Sequence, residues 1–293
     1  MTNTFLDGMI TISNTFIPAL KRRKGTKNLK PIAATDAGDE AYYTTSYGSK
    51  FGENSDSEDD DEDFDLSIHG RPLTSITGAD WHPCFNDRLT MFIAGTPGAG
   101  KSYLAKQMIK LLPDNFDILL FTALEERDGN FEDLGKNRLY KIRMTPEVLS
   151  SINLSEIRQR TKGNQTILLF DDVDKIRDSK VQNHVFALMN DALANGRGHE
   201  KHDGTGDIHV ICTSHSANDY QKTKYTFENS NYVALFPGTT PPLQVHRMFD
   251  KLGLSKELCN QMIKLARAQK IRSVIIHKVV PMYMIFGNKI MQL

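Results

Sequence analysis

The segment FIAGTPGAGKSYLAKQM, residues 92–108, restricts this chain more than any other. Within it GTPGAGKS meets the pattern GxxxxGK[ST] at Gly95, Gly100, Lys101 and Ser102. A short apolar run, LTMFIA at 89–94, comes before it and predicts a buried strand. SYLAKQMIKLLP follows with helical spacing: Leu104, Met108 and Leu111 share a face, and Pro113 closes the helix. A strand, a glycine-rich turn and a helix in that order make a cradle for phosphate groups. Backbone N–H groups turn inward around the oxygens, and the helix start adds its dipole. The expected nucleotide-binding residues are Gly95, Thr96, Pro97, Gly98, Ala99, Gly100, Lys101, Ser102 and Tyr103. Lys101 is expected to reach the β and γ phosphates of ATP, and the Ser102 hydroxyl to bind Mg2+.

The text around this motif alternates. FDILLFTA, TILLFDD at 166–172, IHVICTS at 208–214 and NYVALFPG at 231–238 read as further strands. VQNHVFALMNDALANG reads as a helix that ends on Gly196 as a glycine cap, and two more helical segments lie near 241–252 and 255–269. Strands alternating with helices predict an α/β fold, a mostly parallel sheet flanked by helices. The last stretch, RSVIIHKVVPMYMIFGNKIMQL, reads as strands joined by short turns, with Met282, Tyr283, Met284 and Phe286 in the core. The organisation expected is a tail at 1–66, a nucleotide-binding core at 67–240, and C-terminal helices and strands at 241–293 that complete it.

A second chemical element is ILLFDD. Four apolar residues end in two acids where a buried strand emerges. Asp171 is expected to hold Mg2+, directly or through water, and Asp172 to orient or deprotonate the attacking water. Glu125 and Glu126 are the reserve candidates for that base. The next strand ends CTSHS, which offers Thr213, Ser214 and His215 to a γ-phosphate; His215 reads equally as a surface histidine. Arg197, in the loop NGRGHEKHDGTGD, is the candidate arginine finger given to a neighbour's nucleotide, with Arg177 and Arg247 as rivals. His199, His202, Asp203 and His209 resemble a metal set only superficially, since no cysteine joins them and their spacing matches no zinc pattern.

Charge is unevenly spread behind an overall balance of 36 basic and 36 acidic side chains. Residues 1–65 hold 7 basic and 13 acidic side chains, whereas the last fifty hold 9 and 2. ENSDSEDDDEDFD at 53–65 repels itself and reads as a disordered acidic tail, preceded by a basic cluster, KRRKG at 21–25. Lys264, Arg267, Lys270, Arg272, Lys278 and Lys289 read either as a solvated face or as a surface that tracks nucleic-acid phosphates. Cys84, Cys212 and Cys259 form no CxxC pair and read as reduced thiols. The N-terminus lacks a basic start with a sustained apolar run, so the chain is read as not secreted. The apolar C-terminal stretch is too interrupted by His277, Lys278, Pro281 and Lys289 to span a membrane.

GTPGAGKS, ILLFDD, NGRGHE and then IHVICTSHSANDYQKTKYTFENSNYVALFPG, in this order, resemble the P-loop ATPases of large eukaryotic DNA viruses. These are similar to the FtsK–HerA superfamily, with its poxvirus-type genome-packaging ATPases. The resemblance covers roughly residues 85–293. It implies an ASCE-type P-loop NTPase, in which one strand separates the phosphate-loop strand from the acidic one. It further implies ATP and Mg2+ as cofactors, a homo-oligomeric ring, and double-stranded DNA as the moved substrate, with viral capsid or assembly proteins as partners. The implied compartment is the host cytoplasm or nucleus, or the virion. Asp172 stands where glutamate is commoner, and Thr213–His215 where many packaging ATPases have a glutamine. Two other readings of the same residues are an AAA+-like remodeller or helicase, and a virion assembly protein that binds nucleotide with little turnover.

Overall fold

The computed structural model describes residues 29–35, 41–45, 71–75, 81–83, 88–122, 129–135, 138–162, 164–198, 206–215, 220–268, 272–279, 282–286 and 289–292. The chain forms two compact units, one from 1–86 with 280–293, the other from 87–279.

In the first unit, β1 (Leu29–Thr35) pairs antiparallel with β2 (Ala41–Thr45); β3 is Arg71–Ser75, and β4 (Trp81–Pro83) pairs with the other edge of β1. β1 and β2 lie inside the stretch read from its charge as a tail. PIAAT and AYYTT are uncharged, and β-branched and aromatic residues give them strand character that the average over 1–65 conceals. The basic cluster at 21–25 and the acidic run at 53–65 lie outside the described residues.

The second unit carries the site. Its elements in chain order are β5 (Thr90–Ala94), α1 (Lys101–Lys110), β6 (Asp117–Thr122), β7 (Leu139–Lys141), α2 (Pro146–Ser150), α3 (Leu154–Arg160), β8 (Thr166–Asp171), α4 (Ser179–Asn195), β9 (Ile208–Ser214), α5 (Tyr220–Asn229), β10 (Tyr232–Leu235), α6 (Pro242–Lys251), α7 (Lys256–Ala268) and β11 (Val274–His277). The sheet order is β11-β10-β5-β9-β8-β6-β7, parallel throughout except at the β10–β11 edge. β9 therefore separates the phosphate-loop strand β5 from the acid strand β8, the arrangement the resemblance implies. Parallel strands bring all their C-terminal ends to one edge, and loops there build the site. The register sets Ala94 beside Ser214, and Phe170 beside Cys212, so Asp171 emerges next to Thr213.

β5, β8 and β9 are buried along their whole length, which explains why they read as continuous apolar runs without alternation. Phe121 of β6 stacks on Phe170 of β8 at 4.8 Å between ring centroids, and Phe92 meets Phe227 edge-on at 6.4 Å. Each such buried ring contributes roughly 1.5–3 kcal/mol through area removed from water. α1 packs on β5 and β9, while α4 packs on β9 with α2, α3 and α5 around it.

Gly196 does end α4, but not through a left-handed glycine cap: its φ is −76°. The helix end is closed instead by Arg88, buried before β5. Arg88 Nε donates to Ile208 O at 2.7 Å, Nη1 to Leu193 O at 3.0 Å, and Nη2 to Ala192 O. A cation among the final carbonyls of a helix is favoured by the helix dipole. A Cβ on Gly196 would fall 2.5 Å from both Ala192 O and Arg88 Nη2, so glycine is needed here for space.

In the first unit the chain ends with β12 (Tyr283–Phe286) and β13 (Lys289–Gln292), a hairpin whose second strand pairs with β3. Of the residues expected in the core, Tyr283 and Met284 are buried and Met282 is half-buried; the side chain of Phe286 lies outside the described residues.

Candidate active site

The phosphate loop leaves β5 at Ala94. Gly95 N–H donates to Ser214 O at 3.2 Å, which ties the loop to β9. The Phe236 ring lies against Gly95 so closely that a Cβ there would fall 2.7 Å from Cδ2. Gly98 and Gly100 have φ of 75° and 101°, in the left-handed region that favours glycine. Ala99 N–H closes the turn onto Thr96 O at 3.2 Å, and Thr96 Oγ1 donates to Thr239 O at 3.4 Å. Gly100 precedes α1 without a side-chain cap, which leaves first-turn N–H groups to an anion. Pro97 is exposed, and Tyr103 is 57% exposed on the first turn of α1.

Lys101 is buried at the base of this loop. Its Nζ donates to Thr96 O at 3.3 Å and lies 3.2 Å from His215 Nδ1 and 3.9 Å from Asp172 Oδ1. Burial pushes the Lys101 pKa below its ordinary value, with the Asp172 carboxylate acting in the opposite direction. Ser102 Oγ donates to Asp171 Oδ1 at 3.0 Å. Asp171 is 1% exposed, and burial pushes its pKa up, partly offset by the hydrogen bond from Thr213. A buried acid whose charge is disfavoured gains most from a bound cation. The two oxygens are also spaced for one. Ligands of an octahedral magnesium ion lie about 2.1 Å from it, so neighbouring ligands are about 3.0 Å apart. Ser102 and Asp171 thus fit Mg2+ in both chemistry and spacing; the ion when bound would supply charge neutralisation for the phosphates.

Thr213 joins the two acids. Its hydroxyl accepts the Asp172 N–H at 2.9 Å and donates to Asp171 Oδ1 at 2.8 Å. Asp172 itself has φ 51°, a left-handed conformation that aspartate tolerates better than most residues. This bend turns the carboxylate toward the phosphate loop. His215 Nε2 meets Asp172 Oδ2 at 2.6 Å. With Lys101 donating to Nδ1, the imidazole is the tautomer that carries its proton on Nε2 and gives it to Asp172. Lys101, His215 and Asp172 thus form one chain of hydrogen bonds from cation to anion. The surface reading of His215 is therefore replaced by a bridging role. It also bears on the two departures from the resemblance. Aspartate is one methylene shorter than glutamate, and a histidine at the sensor position reaches it directly.

Asp174 belongs to the site and carries no sequence signal of its own beyond its nearness to ILLFDD. Its Oδ2 accepts from Ser214 Oγ at 3.0 Å and from His215 N–H at 3.1 Å. Ser214 therefore turns its hydroxyl to Asp174.

The remaining candidates separate. Arg197 is exposed after the end of α4; Gly196 O, next to it, accepts the Ile208 N–H at 2.8 Å at the start of β9, whose seven residues span roughly 20 Å to the catalytic edge. It does not reach the site of its own chain, as a residue acting on a neighbour need not. Its carbonyl accepts from Arg158 Nη2 at 2.8 Å. Arg177 and Arg247 are both exposed. Glu125, Glu126, His199, His202 and Asp203 lie outside the described residues. His209 is buried: its Nδ1 accepts Leu89 N–H at 2.9 Å, Nε2 lies 3.0 Å from Gln165 Oε1, and burial lowers its pKa from 6.5 to about 4. Among the described residues no group of histidine, cysteine or acidic side chains could hold a metal by clustering. Lys278 leaves the candidate basic surface. Its Nζ donates to the carbonyls of Phe227 and Glu228 at the end of α5 and lies 4.5 Å above the Phe227 ring, and burial lowers its pKa to about 8. Among the described residues no helix is long and apolar enough to cross a membrane.

Residues 91–229 match the model of the ATPase family associated with various cellular activities (AAA). An uncharacterized protein, V3, of Sputnik virophage is 27% identical over 207 residues, which cover 69% of this chain and 76% of that one. Among solved structures, the cytoplasmic domain of the Thermomonospora curvata type VII secretion ATPase EccC is similar at 11% identity and a TM-score of 0.44. That similarity covers 96% of this chain and 30% of that one. EssC (ATPases 2 and 3) from Geobacillus thermodenitrificans is similar at 11% identity and a TM-score of 0.34 over 53% of this chain and 33% of that one. The chain thus spans about a third of the length of these two structural neighbours. With the strand order, the glycine cradle and the acid pair brought together beside it, the chain has the P-loop NTPase fold and is an NTP-hydrolysing enzyme, an ATPase of the P-loop type.

Proposed function

We propose that this ATPase is the motor that moves double-stranded DNA into the capsid of a large DNA virus, acting as a homo-oligomeric ring. The observation that carries the hydrolytic half is the Lys101–His215–Asp172 chain beside the Ser102–Asp171 pair. Lys101 holds the terminal phosphates, and Asp172 takes the proton of the attacking water. His215 keeps that carboxylate aimed and gives up its bond to Lys101 when the lysine turns to phosphate. Ser102 and Asp171 would hold Mg2+. Arg197, exposed away from its own site, is assigned to the nucleotide of an adjacent subunit.

Two observations support the nucleic-acid half, and a third the viral setting. The last fifty residues carry 9 basic and 2 acidic side chains. Lys256, Lys264 and Arg267 are exposed on α7, and Arg272 follows it, also exposed. A virophage protein is related over most of both chains, which favours a viral setting, either the host cytoplasm or nucleus or the virion. The AAA match favours a second reading, a remodeller that works on a protein.

Steady ATP turnover of the full chain distinguishes the two. Linear duplex DNA is expected to stimulate turnover, with a stimulation that falls steeply as salt rises. Lys101→Ala is expected to abolish nucleotide binding. Asp172→Asn is expected to keep binding and lose about 100-fold or more in turnover, the scale of a general base. Turnover stimulated only by a protein partner would favour the remodeller, and normal hydrolysis by Asp172→Asn would move the base elsewhere.

A further inference from the structure

Asp174 holds the two residues at the corner where the chain leaves β9, Ser214 and His215. Its Oδ2 takes both the Ser214 hydroxyl at 3.0 Å and the His215 N–H at 3.1 Å. Its own carbonyl is held in turn by Gln182 Nε2 of α4 at 3.1 Å, and the same amide nitrogen lies 3.1 Å from Ile176 O. A turn fixed on α4 therefore grips the end of β9 where the backbone leaves the sheet. Gripping His215 by its main chain sets the imidazole between Lys101 and Asp172.

We infer that Asp174 is a positioning residue for hydrolysis: it clamps the Ser214–His215 corner onto the acid turn so that His215 stays bonded to Asp172. The inference rests on the ATPase reading of this site. Among the described residues Asp174 Oδ1 is buried and has no hydrogen-bond partner. The clamp thus uses one oxygen as a double acceptor and makes no use of the second. Such a clamp needs an acceptor of the right reach and not a negative charge. An asparagine can present its single carbonyl oxygen in the same position, whereas alanine cannot.

The test compares Asp174→Ala, Asp174→Asn and Ser214→Ala in the full chain. Three measurements are made: ATP turnover, affinity for a fluorescent ATP analogue, and hydrogen exchange of the peptide that contains residues 212–215. Asp174→Ala is expected to lower kcat about tenfold or more, the scale of a misplaced catalytic group. Its KM and nucleotide affinity are expected to stay within about twofold of wild type, because the phosphate-loop residues and the main-chain bond from Gly95 N–H to the Ser214 carbonyl are left in place. Exchange at the β9 end is expected to speed up. Asp174→Asn is expected to restore both kcat, to within about threefold, and slow exchange. Ser214→Ala, which removes one of the two clamp bonds, is expected to fall between, and stands in should Asp174→Ala fail to fold. Wild-type kcat in Asp174→Ala would overturn the inference, as would an asparagine variant no better than alanine, or affinity lost in step with kcat. If the wild-type chain turns over no ATP, the ATPase reading fails and the clamp with it. If it does and Asp174→Ala matches it, the clamp alone fails.

Discussion

Thr213→Val tests whether the two acids are held as a unit. Thr213 is fully buried, and valine has nearly its shape, so the change removes little besides the hydroxyl. That hydroxyl accepts the Asp172 N–H at 2.9 Å and donates to Asp171 Oδ1 at 2.8 Å. Losing the first bond leaves a buried N–H unpaired, at a cost of about 1–3 kcal/mol. Losing the second removes a bond to a charged group, worth about 1.5–3 kcal/mol. The two share one oxygen and do not add fully, so a total of about 3–4 kcal/mol is expected. Turnover should collapse as well, because Asp172 keeps its left-handed φ of 51° only while its N–H is anchored. Thr213→Ser is the control: it keeps the hydroxyl and loses one methyl, at about 1 kcal/mol. Urea denaturation of both variants, with ATP turnover alongside, reads the difference. If the valine variant unfolds within about 1 kcal/mol of the serine one and hydrolyses ATP normally, the Thr213 hydroxyl does not hold the two acids as a unit.

Three further outcomes are expected. Burial raises the Asp171 pKa in the folded chain, so the native state holds its proton more tightly than the unfolded one. The ionised group therefore costs stability that grows as pH rises above the unfolded value of about 3.9. Asp171→Asn should melt higher than wild type at pH 7 without nucleotide, lose Mg2+-dependent nucleotide binding, and converge with wild type at low pH. His209 behaves in the opposite sense: its folded pKa of about 4 lies below the ordinary 6.5, so the stability that the neutral ring contributes is present above 6.5 and lost as pH falls toward 4. The loss is of order 3 kcal/mol, and His209→Asn should flatten the stability curve across that window. Gly196→Ala should displace Arg88 from the end of α4 and destabilise the fold by about 2–4 kcal/mol, with nucleotide affinity per folded molecule unchanged. A melting temperature equal to wild type would mean that Arg88 adjusts freely.

The phosphate loop and the acid strand were legible because their chemistry is contiguous. Glycines at 95, 98 and 100, a lysine and a serine act through local backbone geometry, and ILLFDD announces itself as a buried strand that ends in acids. The parallel strands β5, β6, β8, β9 and β10 were legible for a related reason, since burial on both faces writes an unbroken apolar run. The small elements β7, α2 and α3 carry little periodic signal because they are short, and α5 carries little because it is polar.

What only the tertiary structure decided is which polar groups meet. His215 lies 114 residues from Lys101 and 43 from Asp172, and Asp174 lies 40 from Ser214. Arg88 closes α4 from more than 100 residues away, and Lys278 leaves the surface to cap α5. Hydrophobic periodicity is a local property, so the amino-acid order carries it openly. The partner of a histidine or a buried lysine depends on strand register across the sheet, which is settled only when the strands align.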